Sequence, residues 1–139
     1  MIVVDTSGLL AYLDVDQQDH AAVRAAVDGD PGPFLLSPFV LAELDYLLAT
    51  RVSRQAELVL LGEVVDGAYR LEPFGPEDVE RAARLIERYG DLSIGLADAS
   101  LVLLADRART DRVLTLDERH FRALRTGRGR PFTVLPADA

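Results

Sequence analysis

Four carboxylates in this 139-residue chain are spaced to do chemistry. Asp5 follows the apolar run Ile2–Val4, and Asp117 follows the β-forming run Arg112–Leu116. If both runs are parallel strands, both acids stand at carboxyl ends, where open α/β sheets bind ligands. Either acid could equally cap the helix that follows it. Glu43 and Asp98 interrupt helical apolar patterns: Phe39, Val40 and Leu47 flank the first at helical spacing, and Ile94, Leu101 and Val102 flank the second. The spacing predicts that both face the interior, where a carboxylate is costly unless paired, hydrogen-bonded or bound to a cation. Gathered in one pocket, four like charges would raise one another's pKa, and a divalent cation removes that conflict. Cysteine is absent, and His20 and His120 lie outside these motifs, so the donors on offer are oxygens. Oxygen sites favour Mg²⁺ or Mn²⁺ over Zn²⁺. Such an ion serves phosphodiester hydrolysis, so the four acids point to a nuclease.

Other polar residues have two readings each. Thr6, Ser7 and Thr115 either orient the carboxylates and their cation or act as caps and ordinary strand residues. His20 reads as a surface helix residue; His120, three residues after Asp117, either touches substrate or packs locally. Lysine is absent, and all 15 basic residues are arginines. That excludes a Walker-type phosphate loop and Schiff-base chemistry, and it argues against a phospho-receiver domain. The net charge of −8 makes the whole chain a poor general binder of nucleic acid. Residues 107–130, however, hold eight arginines against three acids. Arg119, Arg122, Arg128 and Arg130 are the candidates for holding a nucleic-acid backbone, against the plainer reading of a solvated surface.

The elements that must position these groups are short. Ile2–Val4, Phe34–Leu36, Tyr69–Leu71, Arg112–Leu116 and Phe132–Leu135 read as strands, and the segments between them read as helices. Ser37-Pro38 is a helix start, Ser53 and Asp117 are further N-caps, and Gly90 is expected to close the helix opened at Gly75-Pro76. The first helix is read from Leu9 to Leu13. Strands alternating with helices predict an α/β fold, a three-layer α/β/α domain with a central parallel sheet of about five short strands. One domain, 1–139, fits the length. No apolar run approaches the roughly 20 residues of a membrane span, so a cytoplasmic protein is expected. Leu58–Leu61 with Val64 and Val65 make one helix apolar nearly all round; with Tyr46, Leu47 and Leu48 this either is buried within the domain or marks a partner site.

The motifs Val4-Asp5-Thr6-Ser7, Pro38–Leu44, Ile94–Ala99 and Leu114–Phe121 together resemble the PIN-domain ribonucleases, above all the VapC toxins of VapBC toxin–antitoxin pairs. The resemblance runs through essentially the whole chain, in order. It implies that Asp5, Glu43, Asp98 and Asp117 match the family's acidic quartet, which binds Mg²⁺ or Mn²⁺ and activates water for endonucleolytic RNA cleavage. It implies structured RNA substrates, either tRNA or the 23S rRNA sarcin–ricin loop, and arrested translation. It also implies a homodimer and neutralisation by a cognate VapB-type antitoxin. Two other classes remain open on the residues. One is a binding module with a structural acidic pocket. The other is an aspartyl-phosphate phosphatase, disfavoured because Ser7 stands where its second aspartate is usual and because lysine is absent.

Overall fold

Apolar triplets with no alternation suit strands covered on both faces. In the computed structural model, which describes residues 1–139, Ile2–Val4 (β1), Phe34–Leu36 (β2), Arg70–Leu71 (β3), Arg112–Leu114 (β4) and Thr133–Leu135 (β5) pair in parallel throughout. Their order is β3-β2-β1-β4-β5. The chain therefore winds from β1 to one edge and returns to the other side of β1. This leaves a topological switch point between β1 and β4, where such sheets open a crevice beyond their carboxyl ends.

Seven α-helices cover the sheet: Thr6–Leu13 (α1), His20–Asp28 (α2), Pro38–Arg51 (α3), Arg54–Val65 (α4), Pro76–Arg88 (α5), Leu96–Ala108 (α6) and Glu118–Ala123 (α7). Right-handed crossovers put α1–α4 on one face and α5–α7 on the other. The packing of α1 on α2 and α3, of α3 on α4 and of α5 on α6 follows that division. Helix α6 is the most deeply set, with Ala99 to Ala105 all buried.

Ser37 caps α3 by accepting from the Phe39 N–H at 3.2 Å, and Ser53 caps α4 by accepting from the Ala56 N–H at 3.0 Å. Several expected boundaries shift, and β3 and β5 each begin one residue later than expected, at Arg70 and Thr133. Helix α1 begins at Thr6 rather than Leu9, because Asp5 accepts from the Thr6 N–H and so starts the helix directly after β1. Strand β4 ends at Leu114, leaving Thr115 just beyond it. Gly90 does not close α5: Tyr89 is its C-cap, and Gly90–Leu92 continue as a 3₁₀ turn ending at Ser93, φ 55°. No helix is long and apolar enough to cross a membrane.

The surplus apolar surface of α4 is not absorbed by the domain. Only Leu60 of that helix is buried, whereas Leu58, Val59 and Val65 are 60%, 52% and 85% exposed. Tyr46 on α3 is also exposed, and Leu48 is buried.

Candidate active site

Three elements end at the switch point, and each delivers an acid. β1 delivers Asp5, the segment after β4 delivers Asp117, and the first turn of α6 delivers Asp98. Glu43 reaches the same crevice from the second turn of α3. Asp5, Glu43, Asp98 and Asp117 all line one open cleft of about 620 Å³, together with Thr6, Ser7 and His120. Leu10, Phe39, Leu47 and Leu96 form its apolar wall.

Asp5 is the most fixed of the four, at 7% exposure. Its Oδ1 accepts from the Thr6 N–H at 2.8 Å, and its Oδ2 accepts from the Thr115 hydroxyl at 2.7 Å and from Ser7 Oγ at 3.4 Å. Ser7 Oγ in turn accepts from the Leu116 N–H at 2.9 Å, and Thr115 Oγ1 accepts from the Asp117 N–H at 3.0 Å. These bonds stitch the β1–α1 junction to the end of β4. Thr115 and Ser7 thus both hydrogen-bond the Asp5 carboxylate. Thr6 does so through its backbone N–H, while its buried Oγ1 lacks a hydrogen-bond partner.

Gly8 permits this closeness. A Cβ there would stand 2.5 Å from the Leu114 carbonyl oxygen, so only glycine lets α1 lie against β4. On the other side, Ser37 Oγ and Ser100 Oγ meet at 2.7 Å in a buried pair that ties the start of α3 to α6. That contact holds the helix of Glu43 to the helix of Asp98. Neither Gly8 nor this serine pair was legible as a site support in the sequence, since both depend on contacts between distant segments.

Glu43 departs from the expectation of a core-facing acid. The buried stripe of α3 is Val40, Leu44 and Leu48, and Glu43 is exposed on the adjoining face. Phe39, Glu43 and Leu47 form an i, i+4, i+8 row along the cleft wall, so two of the three apolar flanks line the crevice and only Val40 is in the core. Asp98 is half-buried. Its Oδ2 accepts from the Gly95 N–H at 3.5 Å at the start of α6.

The electrostatics follow burial first and charge second. Removal from water pushes the Asp5 carboxyl up to about 6, against the hydrogen bonds from Thr115 and the Thr6 N–H. The nearby Asp98 and Asp117 charges add to the rise. Asp98 is raised in the same way, by burial and then by Asp117 and Glu43, with the Gly95 N–H and His120 opposing. Mutual repulsion alone, the expectation from sequence, is thus the smaller cause. A pocket that raises its own acids is one a cation would relieve, and these oxygen donors fit a hard divalent ion.

His120, read from sequence as either touching substrate or packing locally, enters the cleft. Three residues after Asp117 on the same short helix, it comes to the same side; its Nδ1 lies 2.7 Å from Asp117 Oδ2 and 3.5 Å from Asp98 Oδ2. The i, i+3 spacing was the available signal. His20 sits elsewhere, its Nδ1 2.7 Å from the Ala11 carbonyl oxygen, tying α2 to α1.

The four candidate arginines do not gather. Arg119 is exposed on α7 beside His120. Arg122 is engaged by Asp138 in two hydrogen bonds of 2.7 and 2.8 Å. Arg128 and Arg130 line a separate hollow with Arg109, Thr110 and Asp111. That hollow lies at the C-terminal end of α6 and the start of β4, whereas the acids lie at the opposite ends of both elements. The chain separates these residues because the loop after α7 runs back along the sheet before β5 begins.

Comparisons with known proteins show the family and the fold. The family model of the PIN domain matches residues 2–126. The chain is 51% identical to Ribonuclease VapC26 of Mycobacterium tuberculosis over 135 residues, covering 97% of this chain and all of that protein. Its fold is similar to the crystal structure of VapC20, a sarcin–ricin loop cleaving toxin of Mycobacterium tuberculosis, with TM-score 0.79, 19% identity, and 85% of this chain and 91% of that chain covered. It is also similar to FitAcB from Neisseria gonorrhoeae, with TM-score 0.59, 22% identity, and 79% and 84% covered. With an α/β sheet in PIN order, acids at its switch point and a ribonuclease relative of matching length, the chain belongs to the PIN domain family, among its VapC-type ribonucleases.

Proposed function

We propose that this ribonuclease is the toxin of a toxin–antitoxin pair, that it depends on a divalent cation, Mg²⁺ or Mn²⁺, and that Asp5, Glu43, Asp98 and Asp117 hold the ion. The observation that carries the reading is the convergence of four carboxylates from separate segments on one cleft, with Asp5 buried and its carboxyl pushed up to about 6. When bound, the cation supplies charge neutralisation and Lewis acidity for phosphodiester hydrolysis. The chain's own residues do the rest. Thr115, Ser7 and the Thr6 N–H hold the Asp5 carboxylate in one orientation. Asp98 is held by its capping contact, and Asp117 by accepting from the His120 N–H at 3.1 Å. Phe39, Leu47 and Leu96 narrow the cleft on its apolar side and limit water there.

Arg119 is the arginine we assign to the RNA backbone at the cleft, because Arg122 is tied to Asp138 and Arg128 and Arg130 stand at the other end of α6. The net charge of −8 repels RNA at long range, so binding relies on the ion and few local contacts. The substrate class is structured RNA, tRNA or the 23S sarcin–ricin loop, with translation arrest as the outcome. VapC20, the sarcin–ricin loop cleaving toxin, shares this fold. A VapB-type antitoxin and a second copy of the chain are the partners assigned to the exposed apolar face of α4.

The test is purified protein incubated with total RNA, with Mg²⁺ or Mn²⁺ and with chelator, followed by mapping of new 5′ ends. Discrete cuts in one structured RNA that vanish with chelator and in Asp98→Asn support the reading. Cleavage that persists in chelator, or none with either cation, overturns it.

A further inference from the structure

Asp117 is the N-cap of α7 and His120 lies in its first turn, and Asp98 faces them from the first turn of α6. One donor atom from each of the three lies within 4.8 Å of the other two. The approaches of His120 Nδ1, 2.7 Å to Asp117 and 3.5 Å to Asp98, are inside the span set by a single ion, since donors about 2.1 Å from one ion are at most about 4.2 Å apart. Nδ1 itself is fully buried, yet it has no aligned hydrogen bond despite the short distance to Asp117. A buried ring nitrogen next to two carboxylates ordinarily donates to one of them, which would fix that carboxylate's orientation. Here the ring nitrogen is close to both and makes an aligned hydrogen bond to neither. Asp117 Oδ1 already accepts from the His120 backbone N–H, which holds the two side chains on one side of the turn.

Resting on the metal-dependent reading above, we infer that His120 supplies a nitrogen ligand, through Nδ1, to a divalent cation shared with Asp98 and Asp117. This makes the position selective for a first-row transition cation such as Mn²⁺ over Mg²⁺. The expectation of an oxygen-only donor set then applies to the Asp5 and Glu43 side of the cleft, and not to this one. An imidazole gains little on Mg²⁺, which prefers oxygen and keeps its waters, and more on transition cations.

The experiment is electron-spin-echo spectroscopy of the full chain loaded with Mn²⁺ alone. The expected result is nitrogen modulation from one imidazole in the wild type and its loss in His120→Gln. In titrations of the same two proteins, His120→Gln weakens Mn²⁺ binding about tenfold or more while Mg²⁺ binding, read by competition, changes by less than about threefold. Bound Mn²⁺ without nitrogen modulation in the wild type overturns the assignment, and that measurement needs no variant to fold. Equal weakening of both cations also overturns it, because a residue that only positions Asp117 moves both alike. Failure of the wild type to bind Mn²⁺ at all removes the metal-dependent reading itself, a result distinct from binding without nitrogen.

Discussion

At the residue scale, Asp5 is where stability and activity oppose each other. The residue is 7% exposed, and burial holds its pKa near 6 against 3.8 in the open chain. A raised folded-state pKa means that the protonated form stabilises the fold. That contribution is complete below about pH 4 and is lost as pH climbs through 6, amounting to about 3 kcal/mol for the full shift. Metal-free protein should therefore weaken between pH 4 and 7, and the wild-type minus Asp5→Asn difference in urea unfolding isolates this group. Asp5→Asn should be about 1–2 kcal/mol more stable at pH 7 without metal, part of the gain being offset by the altered Thr115 bond, while RNA cleavage falls by more than a hundredfold. A destabilised, still active Asp5→Asn protein would contradict both halves. Arg119→Glu should raise KM for RNA and reduce the salt slope by about one, with the fold unchanged.

At the scale of elements, the site depends on how closely two secondary structures approach. Helix α1 lies on the end of β4 because Gly8 has no side chain, and the Asp5–Thr115 bond follows from that approach. Gly8→Ala should cost about 1–3 kcal/mol, since the new methyl meets backbone rather than a movable side chain. Its loss of activity should exceed what the folded fraction explains, because the helix retreats carrying Asp5. Thermal melts and cleavage at a temperature where the variant is fully folded separate the two effects. The Ser37–Ser100 pair plays the same part between α3 and α6. Ser100→Ala should cost about 1–2 kcal/mol, as a buried hydroxyl loses its partner.

At the scale of the molecule, the same winding that opens the cleft leaves α4 uncovered. Helices α1–α4 share one face, and α4 packs chiefly on α3. Leu58, Val59 and Val65 are exposed in consequence, and burying them against a partner would yield roughly 25 cal/mol per Å² of apolar surface. A Leu58→Glu, Val59→Glu double variant should keep its melting temperature within a few degrees, because both side chains already face solvent. It should lose association with its antitoxin or with a second copy, as read by co-purification and by sedimentation. Retained association on both counts would place the partner elsewhere.

Local chemistry was legible without the fold. Apolar triplets marked β1 and β2, Ser37, Ser53 and Asp117 marked helix starts through short-range caps, and the four acids stood out by type and spacing. These signals act over three or four residues, which is the range at which a sequence can be read directly. What needed the tertiary structure were relations between segments tens of residues apart. The order β3-β2-β1-β4-β5 makes the switch point. It turned Glu43 from an expected core acid into a cleft wall, drew His120 between Asp98 and Asp117, and sent Arg128 and Arg130 to the far end of α6. Side-chain direction across such distances is set by which strands pair and which helices abut, and no local pattern along the chain encodes it.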